Sequence, residues 1–150
     1  MNKRQEYHRL RGFGWKPAQA WRAAETMVQF ERAEDAGLVR LLVEPEHESY
    51  FDVYGEPDGY VDQYGRRHSA EDERREIIEL IESEGCWYVA SEVLCPCCHQ
   101  WTIVEGVGMI IADLPQDPAR NVYAPELMRS ALDELIRNGN APAWLEPEEV

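Results

Sequence analysis

Apolar residues recur with helical spacing in three segments of the chain. The spacing predicts helices over about residues 17–36, 70–84 and 125–137. The ends of these helices are expected at residue types that suit helix boundaries: proline in the first turn, serine at the N-cap, and glycine after the last turn. The boundary residues are Pro17, Gly37, Ser69, Gly85 and Gly139.

Three other segments have the length and composition of β-strands. They cover about residues 38–44, 86–94 and 101–112 and are rich in β-branched and aliphatic side chains. The short connection between the last two segments predicts an antiparallel pair. The order of helices and strands therefore predicts an α+β fold, with helices on one face of a small antiparallel sheet.

The length of the chain fits one compact domain. We expect this domain over residues 1–140, followed by a Pro- and Glu-rich tail over residues 141–150. Trp144 and Leu145 are the tail residues able to dock on the body.

A six-residue Tyr–Asp element occurs twice, at residues 50–55 and again at residues 60–65, with a Pro-Asp-Gly turn signal between the copies. If both copies are extended, they form an additional hairpin over residues 50–64. One face of that hairpin would carry four tyrosines and two aspartates, and the other would turn its apolar residues toward the core. The first set is Tyr50, Asp52, Tyr54, Tyr60, Asp62 and Tyr64, and the second is Phe51, Val53 and Val61.

The Tyr–Asp face has two interpretations, which the sequence leaves open. In the first, the tyrosines only cover the surface of their own hairpin, as cross-strand aromatic pairs commonly do. In the second, the face binds a partner, because tyrosine supplies rigid contact area and aspartate supplies an anionic group for Arg or Lys. A calcium loop is not favoured, because the acidic residues do not follow the helix–loop–helix calcium pattern.

Charge is distributed unevenly along the chain. The whole sequence has 15 Lys and Arg against 29 Asp and Glu, a net charge of −14. Residues 1–43 contribute +3 and residues 44–150 contribute −17, and residues 44–84 alone hold fourteen acidic and four basic side chains. Such a body repels phosphate backbones and attracts basic surfaces. Glu73, Glu76 and Glu79 are expected on the exposed side of the second predicted helix, beside the Tyr–Asp hairpin.

Three cysteines and a histidine are crowded between the two C-terminal strands, in the order Cys95-Pro96-Cys97-Cys98-His99. Cys95 and Cys98 have the C-x-x-C spacing of a zinc knuckle, which makes them candidate metal ligands. A structural zinc site needs four ligands, and the sequence contains no second C-x-x-C. We therefore expect no cofactor, with zinc as the alternative. The residues that would have to complete a zinc site are His99, Cys86, His8, His47 or His68.

Catalytic and targeting motifs are not found in the sequence. The chain lacks a phosphate-binding lysine loop, a metalloprotease helix and a nucleophile elbow, so an enzyme is not expected. No apolar run approaches the roughly 18 residues of a membrane span, and the N-terminal segment lacks the apolar stretch of a secretory signal. Few, clustered cysteines do not resemble a secreted disulfide framework, so we expect a cytoplasmic protein.

Several stretches resemble a family of uncharacterised small proteins from bacteriophages and other mobile elements. The resembling stretches are Arg11-Gly12-Phe13-Gly14-Trp15 through Ala24, Glu34-Asp35-Ala36-Gly37-Leu38-Val39-Arg40-Leu41, Tyr60 through Arg67, and Tyr123 to Leu135. This resemblance implies an accessory, host-directed function and assigns no activity to particular residues.

Two functional hypotheses follow. In the first, the chain is a non-enzymatic protein-binding factor of a phage or mobile element. Its acidic body would occupy a basic, nucleic-acid-binding surface on a host protein, as an anti-CRISPR or anti-restriction inhibitor does, without binding DNA or RNA itself. In the second, it is a small regulatory module that binds nucleic acid or a partner through its basic N-terminal segment, with zinc at the cysteine cluster.

Overall fold

A computed structural model describes residues 2–111 and 122–145 of the chain. Within these ranges it contains five helices and two small antiparallel sheets, so the predicted α+β class is confirmed. The predicted strand end at residue 112 and tail residues 146–150 lie outside the described residues. The elements are α1 (Lys3–Gly12), α2 (Pro17–Asp35), β1 (Val39–Pro45), α3 (Tyr50–Tyr54), β2 (Tyr60–Val61), β3 (Arg67–His68), α4 (Ala70–Glu84), β4 (Cys86–Leu94), β5 (Trp101–Ile111) and α5 (Ala124–Arg137).

The larger sheet has three antiparallel strands in the order β1-β4-β5. Pro45 pairs with Trp87 at one end of the sheet, and Leu94 pairs with Trp101 at the other end. The central strand β4 is buried on both faces from Val89 to Val93. The antiparallel pairing of the two C-terminal strands was predicted from their short connection and is confirmed.

Helices α2 and α5 pack on one face of this sheet and form the main core with it. The core also includes the beginning of the predicted tail. Leu145 is buried in the core, and Trp144 packs against the core. The packed body therefore reaches at least residue 145, beyond the predicted domain end at residue 140. Its largest fully buried apolar side chains are Met27, Val39, Val89, Leu127, Leu132 and Leu135.

The helix boundaries follow the residue types that predicted them. Pro17 opens α2, and the Ser69 hydroxyl caps α4 by accepting a hydrogen bond from the backbone N–H of Asp72. The Asp72 carboxylate accepts a bond from the N–H of Ser69 in return, which completes a capping box. Gly37, Gly85 and Gly139 have positive φ after the ends of their helices, where a side chain would be strained.

The additional hairpin predicted over residues 50–64 is wrong. Residues 50–54 form the short helix α3, and strand β2 pairs instead with β3, in the register Tyr60 to His68 and Val61 to Arg67. Val53 and Val61, expected to face the core, are both exposed. The two copies of the repeated element therefore adopt different conformations.

A local turn explains this difference. The Asp62 carboxylate accepts hydrogen bonds from the backbone N–H groups of Tyr64 and Arg66, and Gly65 takes the positive φ that the turn needs. This turn brings residues 67 and 68 back against residues 60 and 61, so the second copy pairs with the residues that follow it. Because the second copy pairs with residues 67 and 68, the first copy has no strand to pair with. It forms the short helix α3 between Ser49 and Gly55.

Helix α1 is an element that sequence periodicity did not predict. Asn2 caps it by accepting bonds from the N–H groups of Arg4 and Gln5, and Leu10 is its one buried residue among those described. Tyr7 meets Trp21 of α2 edge to face, with ring centres 5.5 Å apart. A helix with so little apolar surface gives almost no periodic signal, because its stability comes from capping and from α2.

Residues 46–84, which connect β1 to β4, are built differently from the rest of the molecule. None of their side chains is buried. Every buried residue in the described ranges lies outside residues 46–84. They carry thirteen acidic and four basic side chains, a net charge of −9. We call residues 46–84 the acidic annex and the remaining described residues the packed body.

Candidate functional site

The centre of the acidic annex is a histidine held between two carboxylates. Nε2 of His68 lies 2.9 Å from Oδ2 of Asp62, and its Nδ1 lies 2.9 Å from Oε1 of Glu76. A neutral imidazole has only one N–H donor, so both contacts are hydrogen bonds only when the ring is protonated. The geometry therefore favours the imidazolium form of His68 and an ionised carboxylate on each side.

The titration of these groups follows from the same contacts. The pKa of His68 is raised, chiefly by its hydrogen bond to Asp62 and further by Glu76. The pKa of Asp62 is lowered, first by the bond from His68 and then by the backbone N–H of Arg66. Each shift favours the charged form of its own group, as expected when opposite charges are in contact.

Tyr60 covers this arrangement. Its ring stacks on the imidazole of His68, with ring centres 4.3 Å apart and an angle of 5° between the planes. Its hydroxyl donates a hydrogen bond of 2.7 Å to Oε2 of Glu76, which raises the pKa of Tyr60 to about 12. Glu76 thus accepts from two side chains of the small hairpin and holds that hairpin against α4.

A second carboxylate of α4 supports the same hairpin. The backbone N–H of Gly59 donates a 2.8 Å hydrogen bond to Oε2 of Glu73. Gly59 has φ of +88°, and a Cβ atom there would lie 2.6 Å from the carbonyl oxygen of His68. The chain can pass this close only with glycine at residue 59.

Arg74 joins α3 to α4. Its guanidinium carbon lies 4.3 Å from the centre of the Phe51 ring, and its Nε donates to Oε2 of Glu56 at 3.0 Å. The phenyl ring is therefore covered by a cation rather than by an apolar core. This contact and the His68 contacts fold the annex through polar and aromatic side chains.

The nine residues predicted to bind a partner divide into two groups. The structure brings together Tyr60, Asp62, Glu73 and Glu76, whose polar groups are used inside the annex. The others lie outside this network. They are Tyr50 and Tyr54, whose rings are in tilted contact along α3, Asp52 on the same helix, Tyr64 at the hairpin turn, and Glu79 on α4.

His68 and Arg74 are the residues of this site that sequence analysis missed. The signal for His68 was the Asp-x-x-Gly turn over residues 62–65, which predicts a short hairpin and sets His68 opposite Tyr60. No comparable signal marks Arg74, because its contacts with Phe51 and Glu56 join segments 18 or more residues apart in the chain.

The cysteine cluster lies at the opposite end of the larger sheet from the annex. Residues 95–100 form the turn between β4 and β5, and Cys97 and Cys98 are exposed. The N–H of His99 donates to the carbonyl oxygen of Cys95, and His99 itself has φ of 57°. The pKa of the Cys95 thiol is lowered, chiefly by the backbone N–H of Cys98 and further by the Cys98 side chain and the N–H of Cys97.

Of the residues predicted to complete a zinc site, His99 lies in this turn, whereas Cys86, His47 and His68 lie elsewhere. Cys86 stands at the other end of β4, roughly 30 Å away at the usual rise of a strand. His68 is held between Asp62 and Glu76, and His47 follows β1 at the end of the sheet away from the turn. Over residues 2–111 and 122–145, no group of three potential ligands can hold a metal ion.

The basic N-terminal segment forms α1, and part of its charge is used within the chain. Lys3 pairs with Glu25 of α2, and Arg9 pairs with Glu6. Arg11 donates to the carbonyl oxygen of Trp15. Arg4 is also exposed and takes no part in these contacts. Because the other basic side chains named here are engaged, α1 presents less free positive charge than its composition indicates.

Comparisons with known proteins add no assignment: no family model matches the chain, and neither the curated proteins nor the solved structures contain a significant match. The resemblance to phage and mobile-element proteins therefore stays a prediction. None of the helices in the described part of the chain is long and apolar enough to cross a membrane.

Proposed function

We propose that this chain is a non-enzymatic protein-binding factor of a phage or mobile element, which uses its acidic annex to occupy a basic, nucleic-acid-binding surface on a host protein. An inhibitor of a CRISPR or restriction component is the form of this function that we favour. The supporting observation is that the annex carries thirteen acidic side chains against four arginines and the His68 cation, on a scaffold with no buried residue of its own.

The internal contacts of the annex leave much of its negative charge free to act outward. His68, Arg74 and Arg75 form ion pairs with four acidic residues, namely Asp62, Glu76, Glu56 and Asp72. The exposed acidic residues outside these pairs are Glu48, Asp52, Asp58, Glu71, Glu79, Glu82 and Glu84. Carboxylates fixed on one surface attract a basic partner and speed its association.

Exposed tyrosines supply the second part of the proposed interface. Tyr54 is 62% exposed and Tyr64 is 78% exposed, and both belong to the annex. A large, rigid aromatic ring gains contact area when a partner covers it, at a small cost in side-chain entropy. Charge then governs how fast the partner arrives, and the tyrosines govern how long it stays.

The alternative, a nucleic-acid-binding regulator that uses α1, has less support. Lys3 and Arg9 are already paired with carboxylates, and the rest of the molecule carries strong negative charge. A phosphate backbone approaching α1 would meet that charge within a few Debye lengths.

The experiment begins with the intact chain immobilised and exposed to nuclease-treated bacterial lysate. The captured protein is then purified, and its affinity for duplex DNA is measured with and without the chain. We expect the chain to compete with DNA for the captured protein, and the competition to weaken as salt rises. A captured protein that binds DNA equally well when saturated with the chain would contradict the proposal.

Charge-reversal variants locate the interface. The double variant Glu79→Lys and Glu82→Lys should slow association with the captured protein by about tenfold at low salt, because both residues are exposed on α4. The matched control is Glu34→Lys with Asp35→Lys, which changes net charge equally on exposed α2 positions of the packed body. Equal slowing by both pairs would mean that overall charge acts, without a defined face. Asp62 and Glu76 are unsuitable for this test because they hold the annex together.

A further inference from the structure

The β4–β5 turn has the form of one half of a tetrahedral metal site. Cys95 and Cys98 have the C-x-x-C spacing with which two cysteines of one tight turn bind one ion. The positive φ of His99 and its bond back to the Cys95 carbonyl close the turn tightly. Two cysteines of one turn can therefore bind the same metal ion.

The described residues do not supply the other half. Cys97 and His99 are immediate neighbours of Cys98, and no group of three potential ligands forms anywhere in residues 2–111 and 122–145. A structural zinc ion is almost always bound by four protein ligands. Every cysteine and histidine of the sequence lies in the described ranges, so the two missing Cys or His ligands of a structural zinc site would come from another molecule.

We propose that the turn binds zinc between two copies of this chain, with Cys95 and Cys98 of each copy forming a four-cysteine site. All six residues of the turn except Cys95 are exposed, so nothing in the described part of the chain prevents a second turn from approaching. Ile103 of the adjacent β5 is 51% exposed and lies beside Cys95 and Cys97 along a groove of about 630 Å³, which offers apolar contact next to the ion.

The position of the turn makes this association compatible with the charge of the chain. The acidic annex connects to the larger sheet at the Pro45 and Cys86 end, and the turn lies at the other end, roughly 30 Å along β4. That separation is several Debye lengths at physiological ionic strength, so repulsion between the annexes of two copies is largely screened. Two chains joined at their turns would carry their annexes at opposite ends. This inference does not depend on the proposed function of the annex.

The test uses the full chain, reduced and stripped of metal, with Zn²⁺ as the only added ligand. We expect about one zinc bound per two chains, and a doubling of the 17.4 kDa mass that a chelator reverses. Co²⁺ in place of Zn²⁺ should give the intense visible bands of a tetrahedral thiolate site. Zinc content is measured by elemental analysis and mass by light scattering.

Single cysteine variants assign the ligands. Cys95→Ser and Cys98→Ser should each abolish both zinc binding and dimerisation, and unchanged circular dichroism and thermal unfolding would show that the exposed turn tolerates them. Cys97→Ser and Cys86→Ser are the matched controls and should leave both properties intact. One zinc per monomer, no bound zinc, or a dimer that reductant alone dissociates would each overturn the proposal. Loss of zinc in Cys97→Ser would overturn the ligand assignment.

Discussion

The packed body and the acidic annex are held together by different forces within one chain. Eighteen apolar residues are buried in the described ranges, sixteen of them in α2, α5 and the three-stranded sheet, and none lies in residues 46–84. In the annex, hydrogen bonds, ion pairs and stacked rings connect α3, the small hairpin and α4. The annex has half-buried apolar side chains, such as Ile77 and Ile81 of α4, but none that is fully buried, so polar groups that satisfy one another contribute a larger share of its stability.

The two kinds of stabilisation respond to different conditions. Apolar burial is insensitive to pH and little affected by salt, whereas contacts among His68, Asp62 and Glu76 depend on the charge of each group. The annex should therefore open locally under conditions that leave the packed body folded. This also places the exposed acidic surface on the less stable part of the molecule.

The largest expected effect is a cavity in the packed body. Leu132→Ala removes a fully buried side chain of α5 and should lower the free energy of unfolding by about 2–5 kcal/mol. The melting temperature should fall by about 2–4 °C for each kcal/mol lost in a chain of this size. Urea and thermal unfolding followed by circular dichroism measure both quantities.

The matched change in the annex is Leu80→Ala on α4, where the side chain is 44% exposed. It should alter the free energy of unfolding by no more than about 0.5 kcal/mol, because exposed positions away from special contacts tolerate change. If the two leucine variants lost equal stability, the annex would share in a common core and the comparison would fail.

The second largest expected effect is local opening of the annex, with the packed body unchanged. Gly59→Ala combines strain at φ of +88° with a clash against the His68 carbonyl oxygen, so local opening of the annex should become easier by about 1–3 kcal/mol. Amide hydrogen exchange should speed up across β2 and β3, while exchange in α2 and the urea midpoint of the packed body stay unchanged.

Gly65→Ala provides the control for this prediction. Gly65 has φ of +78°, but a Cβ atom there meets nothing within 4 Å, so only the backbone strain applies. Its effect on exchange should be smaller than that of Gly59→Ala. Equal effects would show that the close approach of residue 59 to His68 contributes nothing.

The smallest effect is the pH dependence of the annex. The folded pKa of His68 is raised, so its stabilising contribution is present below the ordinary histidine value and is lost as pH rises through the folded pKa. The folded pKa of Asp62 is lowered, so its contribution is present above the ordinary aspartate value and is lost as pH falls through the folded pKa. The annex should be most stable above the ordinary aspartate pKa and below the ordinary histidine pKa, and should weaken as pH moves from there toward either folded pKa.

Exchange protection of the Gly59 and Arg66 amides, which donate to Glu73 and Asp62, measures this window. After correction for the intrinsic pH dependence of exchange, protection should fall severalfold as His68 deprotonates, while a buried α2 amide such as that of Met27 does not change. The variant His68→Gln should show low protection both below and above the pH at which His68 loses its proton. Constant protection across the His68 titration would show that the charged contacts of His68 with Asp62 and Glu76 do not hold the hairpin.

The elements predicted most accurately are those with a strong local pattern. The predicted bounds of α4 and β4 agree with the structure at both ends, because Ser69 and Gly85 mark them in the sequence. By contrast, α1 was missed since it has little apolar periodicity, and α3 was assigned to a strand because its sequence repeats that of the second copy. Repetition of sequence did not impose repetition of structure, because only the second copy is followed by a turn that supplies a pairing partner.

The sequence by itself determined the helices and strands with clear boundaries, the α+β class, and the concentration of negative charge in residues 44–84. Only the tertiary structure decided which carboxylates are used internally and which remain exposed. Asp52 and Asp62 occupy equivalent positions in the repeated element, and Glu76 and Glu79 both lie on α4. Only Asp62 and Glu76 contact His68. The physical reason is that periodicity and caps act over a few neighbouring residues, whereas the His68 contacts and the separation of Cys86 from Cys95 depend on how distant segments pack.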